Sequence, residues 1–186
     1  MKTVIRTLMA VVVVAFCSTT FYYYTHQGKA RAEALIPQLP DFEHTNNQQF
    51  LDNVLQCVDY IDHTTTGLYP VNVELLLAQA ALESGWGNSR FARVGKNLYG
   101  IRTYDLKEPH MLPSNNPKKW GVKVYQHECD SVLNYINILY TGGAYKKYRE
   151  LIENGETDPH VLIETLGAYA SDENYFSKIK SILRKI

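Results

Sequence analysis

The length, composition and charge of the chain exclude several classes of protein. Its 186 residues suit one domain of roughly 140 residues with a tail, which is enough to bury a full core. Lys and Arg together number 19, as do Asp and Glu, so there is no basic excess of the kind that typifies nucleic-acid binding. The six His are scattered, so we predict no metal site, and we expect no cofactor.

Residues 1–24 are predicted to be a signal peptide or a membrane anchor. Lys2 and Arg6 give a positive start, and residues 8–24 form a run of 17 uncharged residues. That run is at the short limit for a membrane span and long for the core of a signal peptide. The basic residues that follow are a poor context for cleavage, which favours an uncleaved inner-membrane anchor. Both alternatives place the domain outside the cytoplasm.

A linker and then helices are predicted for the next part of the chain. Residues 25–46 are polar with two prolines, which is typical of a linker. Apolar residues then recur at helical spacing before Gly67: Phe50, Leu51, Val54, Leu55, Val58 and Ile61. A second helix is predicted from about Val73 to Ser84, with Gly85 as its left-handed stop, and a short helix from Ser89 to Val94.

The middle of the chain changes character, and helices return after it. Residues 99–104 and 120–126 are β-prone and predict a hairpin with a long, irregular tip. Helical patterns follow in four stretches: residues 129–140, residues 145–154, a helix starting at Asp158-Pro159, and residues 174–184. The predicted fold class is therefore α+β, mainly α, with one domain over residues 47–186.

The three cysteines leave one question of pairing open. Cys17 lies in the uncharged N-terminal run, whereas Cys57 and Cys129 lie in predicted helices. An oxidising compartment would allow these two to form a disulfide. We favour the alternative that both are buried free thiols.

Glu83 is the residue of the predicted helices that is best placed for acid chemistry. It shares a mostly apolar helix face with Gln79, and Trp86 follows it closely. A carboxylate in the last helical turn faces the negative end of the helix dipole, and partial burial would disfavour its ionised form further. Both effects should raise its pKa, as a general acid requires. The alternative is an ordinary solvated glutamate at a helix end.

Three motifs of the chain carry a resemblance to one known family. They are residues 81–92 (ALESGWGNSRFA), residues 96–101 (KNLYGI) and the closing motif at residues 169–175 (YASDENY). The chain resembles the bacterial endo-β-N-acetylglucosaminidases that include autolysins and flagellar-rod peptidoglycan hydrolases. Leu112-Pro113 and Pro117 make it most similar to the bacterial Bax-like subgroup. The resemblance implies a lysozyme-like fold with a groove between a helical body and a β hairpin.

The resemblance also implies an activity and its site residues. The expected reaction is hydrolysis of the β-1,4 bond between N-acetylglucosamine and N-acetylmuramic acid in peptidoglycan strands. Glu83 corresponds to the catalytic acid, and Tyr169 to a groove tyrosine that positions substrate or water. Trp86, Asn97 and Tyr99 fall in the matched motifs and are expected around the acid, as substrate-binding or scaffold residues.

The second carboxylate and the exact reaction stay open at this point. Asp105 and Glu108 are the acids between Tyr99 and Tyr125, and Glu108 is our weak candidate for the catalytic base. A route assisted by the acetamido group of the substrate would need no such base. Two other functions fit the same fold: a lytic transglycosylase or muramidase, and a catalytically silent wall-binding assembly factor.

Overall fold

The structure, a computed structural model, describes residues 37–65, 69–114, 119–169 and 172–186. Residues 38–186 form one compact unit, which includes the last nine residues of the predicted linker. The predicted signal or anchor segment, Gly67 and Pro117 lie outside the described residues. Within these four ranges, no helix has both the length and the apolar composition that a membrane span needs.

The described residues form seven α-helices, at or near the positions that the sequence predicts. In chain order they are α1 (Asn47–Thr64), α2 (Val73–Ser84), α3 (Arg90–Arg93), α4 (Glu128–Thr141), α5 (Lys146–Glu153), α6 (Pro159–Leu162) and α7 (Tyr175–Leu183). Two 3-10 turns, Gly143–Tyr145 and Ile163–Leu166, precede α5 and follow α6. The fold is therefore mainly α, as predicted.

Short polar residues and one glycine fix where the first two long helices begin and end. The Asn46 side chain accepts a hydrogen bond from the Gln49 amide, and the Asn72 side chain accepts one from the Leu75 amide. Each amide is a donor that the helix itself leaves without a partner. Gly85 ends α2 with a φ of 59°, in the left-handed region that favours glycine. The cap at Gly85 places Glu83 in the last turn of α2.

Helices α1, α2, α4 and α7 enclose the apolar core. Helix α2 packs against both α1 and α7, and α1 also packs against α4. Phe50 and Val54 on α1 and Ile179 on α7 are completely buried. Leu55 was predicted on the buried face of α1 but is 40% exposed, because the helical turn carries it past the edge of that face.

A disulfide joins α1 to α4 and corrects the prediction of two free thiols. It links Cys57 to Cys129, whose Cα atoms are 4.9 Å apart although 72 residues separate them in the chain. The packing of α1 on α4 brings the pair within bridging distance, which sequence spacing does not reveal. His127 lies beside the two sulfurs. Because each sulfur is bonded to the other, the group offers no thiolate to a metal ion.

The described residues of the β lobe form three strands, where the sequence predicts a two-stranded hairpin. They are β1 (Arg102–Thr103), β2 (His110–Met111) and β3 (Gly121–Lys123), in the spatial order β1-β3-β2. Both outer strands pair antiparallel with β3. The irregular tip of the predicted hairpin therefore contributes the extra strand β2, which pairs with the second edge of β3.

Candidate active site

Glu83 lies in the last turn of α2, where its side chain is half-buried. Burial raises the pKa of the Glu83 carboxyl above its usual value, as the sequence predicts. A hydrogen bond from the Tyr175 hydroxyl acts in the opposite direction and lowers that pKa in part. Burial is the larger of the two effects, so this carboxyl holds its proton to a higher pH than an ordinary glutamate does.

A chain of hydrogen bonds connects Glu83 to three helices. The Tyr135 hydroxyl, on α4, donates to Oε1 of Gln79 on α2. Nε2 of Gln79 in turn donates to the Tyr175 hydroxyl on α7 over 2.9 Å. Burial, and then the charge of Glu83, raise the pKa of Tyr175, so its hydroxyl keeps the proton that it donates to the carboxyl. The acid is therefore held by side chains that are themselves buried and bonded.

Gly100 brings the backbone of the following loop close to the acid. Its φ is 64°, and a Cβ added there would lie 3.8 Å from Oε2 of Glu83. A larger side chain at Gly100 would be strained and would occupy space beside the carboxyl. The absence of a side chain thus leaves one side of Glu83 open.

Glu83 opens into a cleft of about 690 Å³ between the helices and the β lobe. Its described lining combines two carboxyls and one guanidinium with aromatic, aliphatic and small residues: Glu83, Tyr99, Gly100, Ile101, Arg102, Ile138, Tyr145, Gly167, Ala168, Tyr169 and Asp172. Aromatic rings beside a few placed polar groups are typical of a small-molecule or sugar site. Three of the residues predicted from sequence, Glu83, Tyr99 and Tyr169, therefore share one cleft.

Tyr99 and Tyr169 build the cleft wall beside the acid. The Tyr169 hydroxyl donates to the backbone carbonyl of Tyr99 over 2.5 Å. The Tyr99 ring stacks on Tyr135, with the ring centres 4.1 Å apart. Burial, and next the charge of Glu83, raise the pKa of Tyr169 well above its usual value. Both tyrosines are therefore neutral, and Tyr169 lies close enough to Glu83 to sense its charge.

Trp86 and Asn97 do not line this cleft. Trp86 packs edge-on against Phe50, with a φ of 57° in the turn after α2. Asn97 is buried, and its Nδ2 donates to the carbonyls of Ile101 and Lys123 at 2.9 and 2.8 Å. These contacts tie the loop after α3 to β3, which is the scaffold role that the sequence also allowed.

Glu108 and Asp105 lie on the β lobe, and neither lines the cleft of Glu83. Oε2 of Glu108 accepts a hydrogen bond from the Thr103 hydroxyl at 3.0 Å and lies 3.3 Å from Nζ of Lys123. Asp105 is exposed, and its carboxylate accepts a hydrogen bond from the Lys107 amide. The structure thus does not bring the predicted base together with the predicted acid.

Sequence reasoning missed several residues that contact Glu83 or its cleft, and the polar ones among them include Tyr175, Arg102 and Asp172. Tyr175 has helical spacing with Ile179 and so resembles an ordinary core residue; only the packing of α7 on α2 shows its bond to the acid. Asp172 is paired with Lys178 over 2.5 Å, and this hydrogen bond lowers the pKa of the aspartate. The closing motif contained both Tyr175 and Asp172, and it was the signal that could have found them.

Comparison with known proteins decides the family. The glucosaminidase family model, described as mannosyl-glycoprotein endo-beta-N-acetylglucosaminidase, matches residues 64–186. The chain belongs to the glucosaminidase family. It is accordingly a glycoside hydrolase, and the enzyme class expected from the motifs is confirmed. Most of α1 precedes the matched residues, yet α1 packs in the core and carries one half of the disulfide.

Relatives of the family show similarity over most of the domain. The exo-glucosaminidase LytG of Bacillus subtilis is 28% identical over 127 residues, which are 63% of this chain and 45% of that protein. A putative endo-beta-N-acetylglucosaminidase of Streptococcus pneumoniae is 31% identical over 120 residues, which are 63% of this chain and 15% of that protein. This chain therefore matches less than half the length of either relative.

The fold has a counterpart among solved structures. The catalytic domain of the autolysin Auto from Listeria monocytogenes aligns with a TM-score of 0.57 at 24% identity. The alignment covers 86% of this chain and 93% of that domain. The helical body with a small antiparallel sheet is thus a fold that the chain shares with this autolysin.

Proposed function

We propose that this glucosaminidase hydrolyses the β-1,4 bond between N-acetylglucosamine and N-acetylmuramic acid in peptidoglycan, with Glu83 as general acid. One observation carries the proposal: the half-buried Glu83 carboxyl, whose pKa is raised by burial, faces a cleft of about 690 Å³. A carboxylic acid that keeps its proton near neutral pH can protonate a glycosidic oxygen as the bond breaks. The names of the relatives support a glucosaminide as the substrate.

In the proposed reaction, Glu83 gives its proton to the glycosidic oxygen that leaves. The Tyr175 hydroxyl then donates to the resulting carboxylate, as it does in the free enzyme. The bonds among Gln79, Tyr135 and Tyr175 keep that donor in place without rearrangement, which is how preorganised donors assist catalysis. Tyr99 and Tyr169 form the wall along which we propose that the sugar rings lie.

The nucleophile that displaces the leaving group is proposed to be the acetamido group of the substrate. Glu108 is bonded to Thr103 and Lys123 and does not line the cleft, and Asp172 lines it but is paired with Lys178. The acetamido oxygen bonds to the anomeric carbon as the protonated glycosidic oxygen leaves, so this step needs no free protein base; water then opens the cyclic intermediate and gives one proton back to the Glu83 carboxylate. This route retains the anomeric configuration, so the first product seen by proton NMR should be the β anomer. An α anomer would instead require a protein base.

We also propose where the enzyme acts. Residues 1–24 would direct residues 47–186 across the inner membrane and anchor them there, with residues 25–46 between. The Cys57–Cys129 disulfide supports an oxidising compartment such as the periplasm. The anchor is tested by fractionating cells that express the chain with a C-terminal tag. Recovery in the soluble periplasmic fraction, shortened at the N-terminus, would establish the cleaved signal peptide instead.

The bond specificity is tested by digesting purified sacculi with the intact chain and identifying the products by mass spectrometry. Fragments with reducing-end N-acetylglucosamine are expected from the wild type and none from Glu83→Gln. Reducing-end or 1,6-anhydro muramic acid would establish the muramidase or lytic transglycosylase alternative. No release by the wild type, together with retained binding to sacculi, would establish a silent wall-binding factor.

A further inference from the structure

Arg102 is the cationic side chain in the described lining of the cleft, and no described acid neutralises it. The two carboxyls of that lining are accounted for: Glu83 is bonded to Tyr175, and Asp172 is paired with Lys178. Among the residues that the structure describes, Arg102 makes no ion pair within 4.0 Å. The cleft therefore presents one uncompensated positive charge, which is permanent because a guanidinium does not lose its proton in proteins.

The backbone and an aromatic ring hold this charge in place. Arg102 lies in β1, opposite Val122 of β3, and the next residue, Thr103, points the other way and is buried. The guanidinium lies 4.0 Å from the centre of the Trp120 ring. Such cation–π stacking covers one face of the group and leaves its N–H edge free. That free edge matches the two oxygens of a carboxylate.

Two other arginines of this chain donate hydrogen bonds to backbone carbonyls, as is typical of arginines with a structural role. Arg90 donates to the carbonyl of Leu112, and Arg149 donates to the carbonyls of Leu139 and Gly142. Arg102 makes no hydrogen bond of this kind to any described residue. Arg102 lines the cleft and is exposed, so the donors of its guanidinium are open to a ligand.

We propose that Arg102 is the residue with which this cleft selects glycan strands that bear carboxylates. The inference rests on the proposed function. In a peptidoglycan strand the sugar rings are neutral. The acid groups are carried on the muramyl units, either as the free lactyl carboxylate or as the carboxylates of the peptide attached to it. Either source would give Arg102 a planar anionic partner beside the bond that is cleaved.

The test measures whether the effect on KM of removing the charge at residue 102 depends on the charge of the substrate. Intact chains of wild type, Arg102→Met, Arg102→Lys and the exposed control Arg184→Met are assayed on sacculi. A matched substrate is made from the same sacculi by coupling their carboxyls to ammonia with a carbodiimide, which leaves neutral amides.

A specific pattern of kinetic constants is expected. On untreated sacculi, the KM of Arg102→Met should be about tenfold above wild type with kcat kept within about twofold, since a contact made equally in substrate and transition state affects binding alone. Amidation should raise the KM of wild type and Arg184→Met by about the same factor, because it removes the partner of Arg102. Amidation should not change the KM of Arg102→Met. Arg102→Lys keeps the charge without the planar fork, so its KM on untreated sacculi should lie between those of wild type and Arg102→Met.

Three results would overturn the proposal. The first is a wild-type KM that does not respond to amidation. The second is an Arg102→Met variant with wild-type KM, and the third is an Arg102→Met defect of equal size on amidated sacculi, which would mark a structural role. If the wild type releases no reducing-end N-acetylglucosamine from either substrate, the proposed function fails as well. If the wild type does release it, any of the three results above overturns the role of Arg102 alone.

A second pair of substrates identifies which carboxylate Arg102 binds. Glycan strands freed of peptides by an amidase carry lactyl carboxylates alone. If the KM of the wild type on these strands rises about tenfold after amidation, as expected of a lost charge-assisted contact, the lactyl carboxylate is the partner. If amidation matters only for intact sacculi, the peptide carboxylates are the partner.

Discussion

The two walls of the cleft are held together in different ways. The helical wall, which we define as Glu83, which lines the cleft, and the buried side chains that support it, Gln79, Tyr135 and Tyr175, is joined by hydrogen bonds across α2, α4 and α7. The β wall, defined as Arg102, which lines the cleft, with Trp120 and Glu108 of the same lobe, which do not, is more exposed and held by ion-pair and cation–π contacts. Contacts between exposed charges are worth little individually and weaken with salt, whereas buried bonded groups are hard to move.

In the function that we propose, this difference separates chemistry from substrate choice. The reactive carboxyl needs an environment that excludes water, which only the helical wall supplies. The β wall presents charge to solvent, where it can attract and orient a charged strand without fixing the acid. Substitutions on the helical wall should therefore lower kcat or stability, and substitutions on the β wall should change KM and its salt dependence.

The largest expected effect is that of Glu83→Gln. Loss of the general acid should lower kcat by about 10²–10⁴-fold or more. The folded-state pKa of Glu83 is raised, so its contribution to stability is present at acid pH and is lost as pH rises through that pKa. At alkaline pH the neutral glutamine should therefore unfold at no lower temperature than wild type. Retained activity in a folded Glu83→Gln variant would remove the central assignment.

The disulfide should carry the next largest effect, on the stability of the helical body. Its 72-residue separation predicts that Cys57→Ala with Cys129→Ala lowers the free energy of unfolding by about 4 kcal/mol. Denaturant unfolding with and without reductant measures this difference. The double variant is the control, since reductant should not change its midpoint. A wild-type midpoint that is insensitive to reductant would show that the thiols are free.

Tyr175→Phe should change the pH dependence of the reaction as well as the stability of the fold. The Tyr175 hydroxyl lowers the pKa of Glu83, so its removal should raise that pKa further and shift the alkaline limb of kcat/KM to higher pH. Because buried Gln79 would lose its acceptor, stability should also fall by about 1–3 kcal/mol. Tyr140→Phe, which removes a hydroxyl bound to the Pro70 carbonyl, is the matched control and should leave the limb unchanged. A shift to lower pH would contradict the hydrogen bond.

Glu108→Gln should have the smallest effect of the four. Its carboxylate is bonded to Thr103 and Lys123, so the change should alter kcat by less than about fivefold. Asp105→Asn, assayed beside it, should behave alike. A loss of about a hundredfold or more for either variant would identify that residue as the catalytic base and would exclude the acetamido route.

The sequence predicted the helical wall better than the β wall, for a physical reason. Helices have a period, caps and stop signals that are local, so α2, its end at Gly85 and the position of Glu83 could all be read from neighbouring residues. The strands here are two or three residues long, and β2 lies in a stretch without alternation. Their pairing depends on contacts between distant parts of the chain, and so the third strand was missed.

Local sequence patterns also could not predict which residues meet through the packing of helices. Cys57 and Cys129 meet because α1 packs on α4, and Tyr175 meets Glu83 because α7 packs on α2. Each residue looked like an ordinary core residue in its own helix. The motif resemblance supplied the family and Glu83, yet it gave no partner for the acid and no role for Arg102.

The most direct test of the assignment of Glu83 is a titration of its carboxyl. Carbon-13 NMR of the intact chain with labelled glutamate, compared with Glu83→Gln to identify the signal, gives its midpoint. We expect a midpoint clearly above that of an ordinary glutamate, about 4.3. A midpoint at or below that value would mean that water reaches the carboxyl freely, and Glu83 could not then hold the proton that the reaction requires.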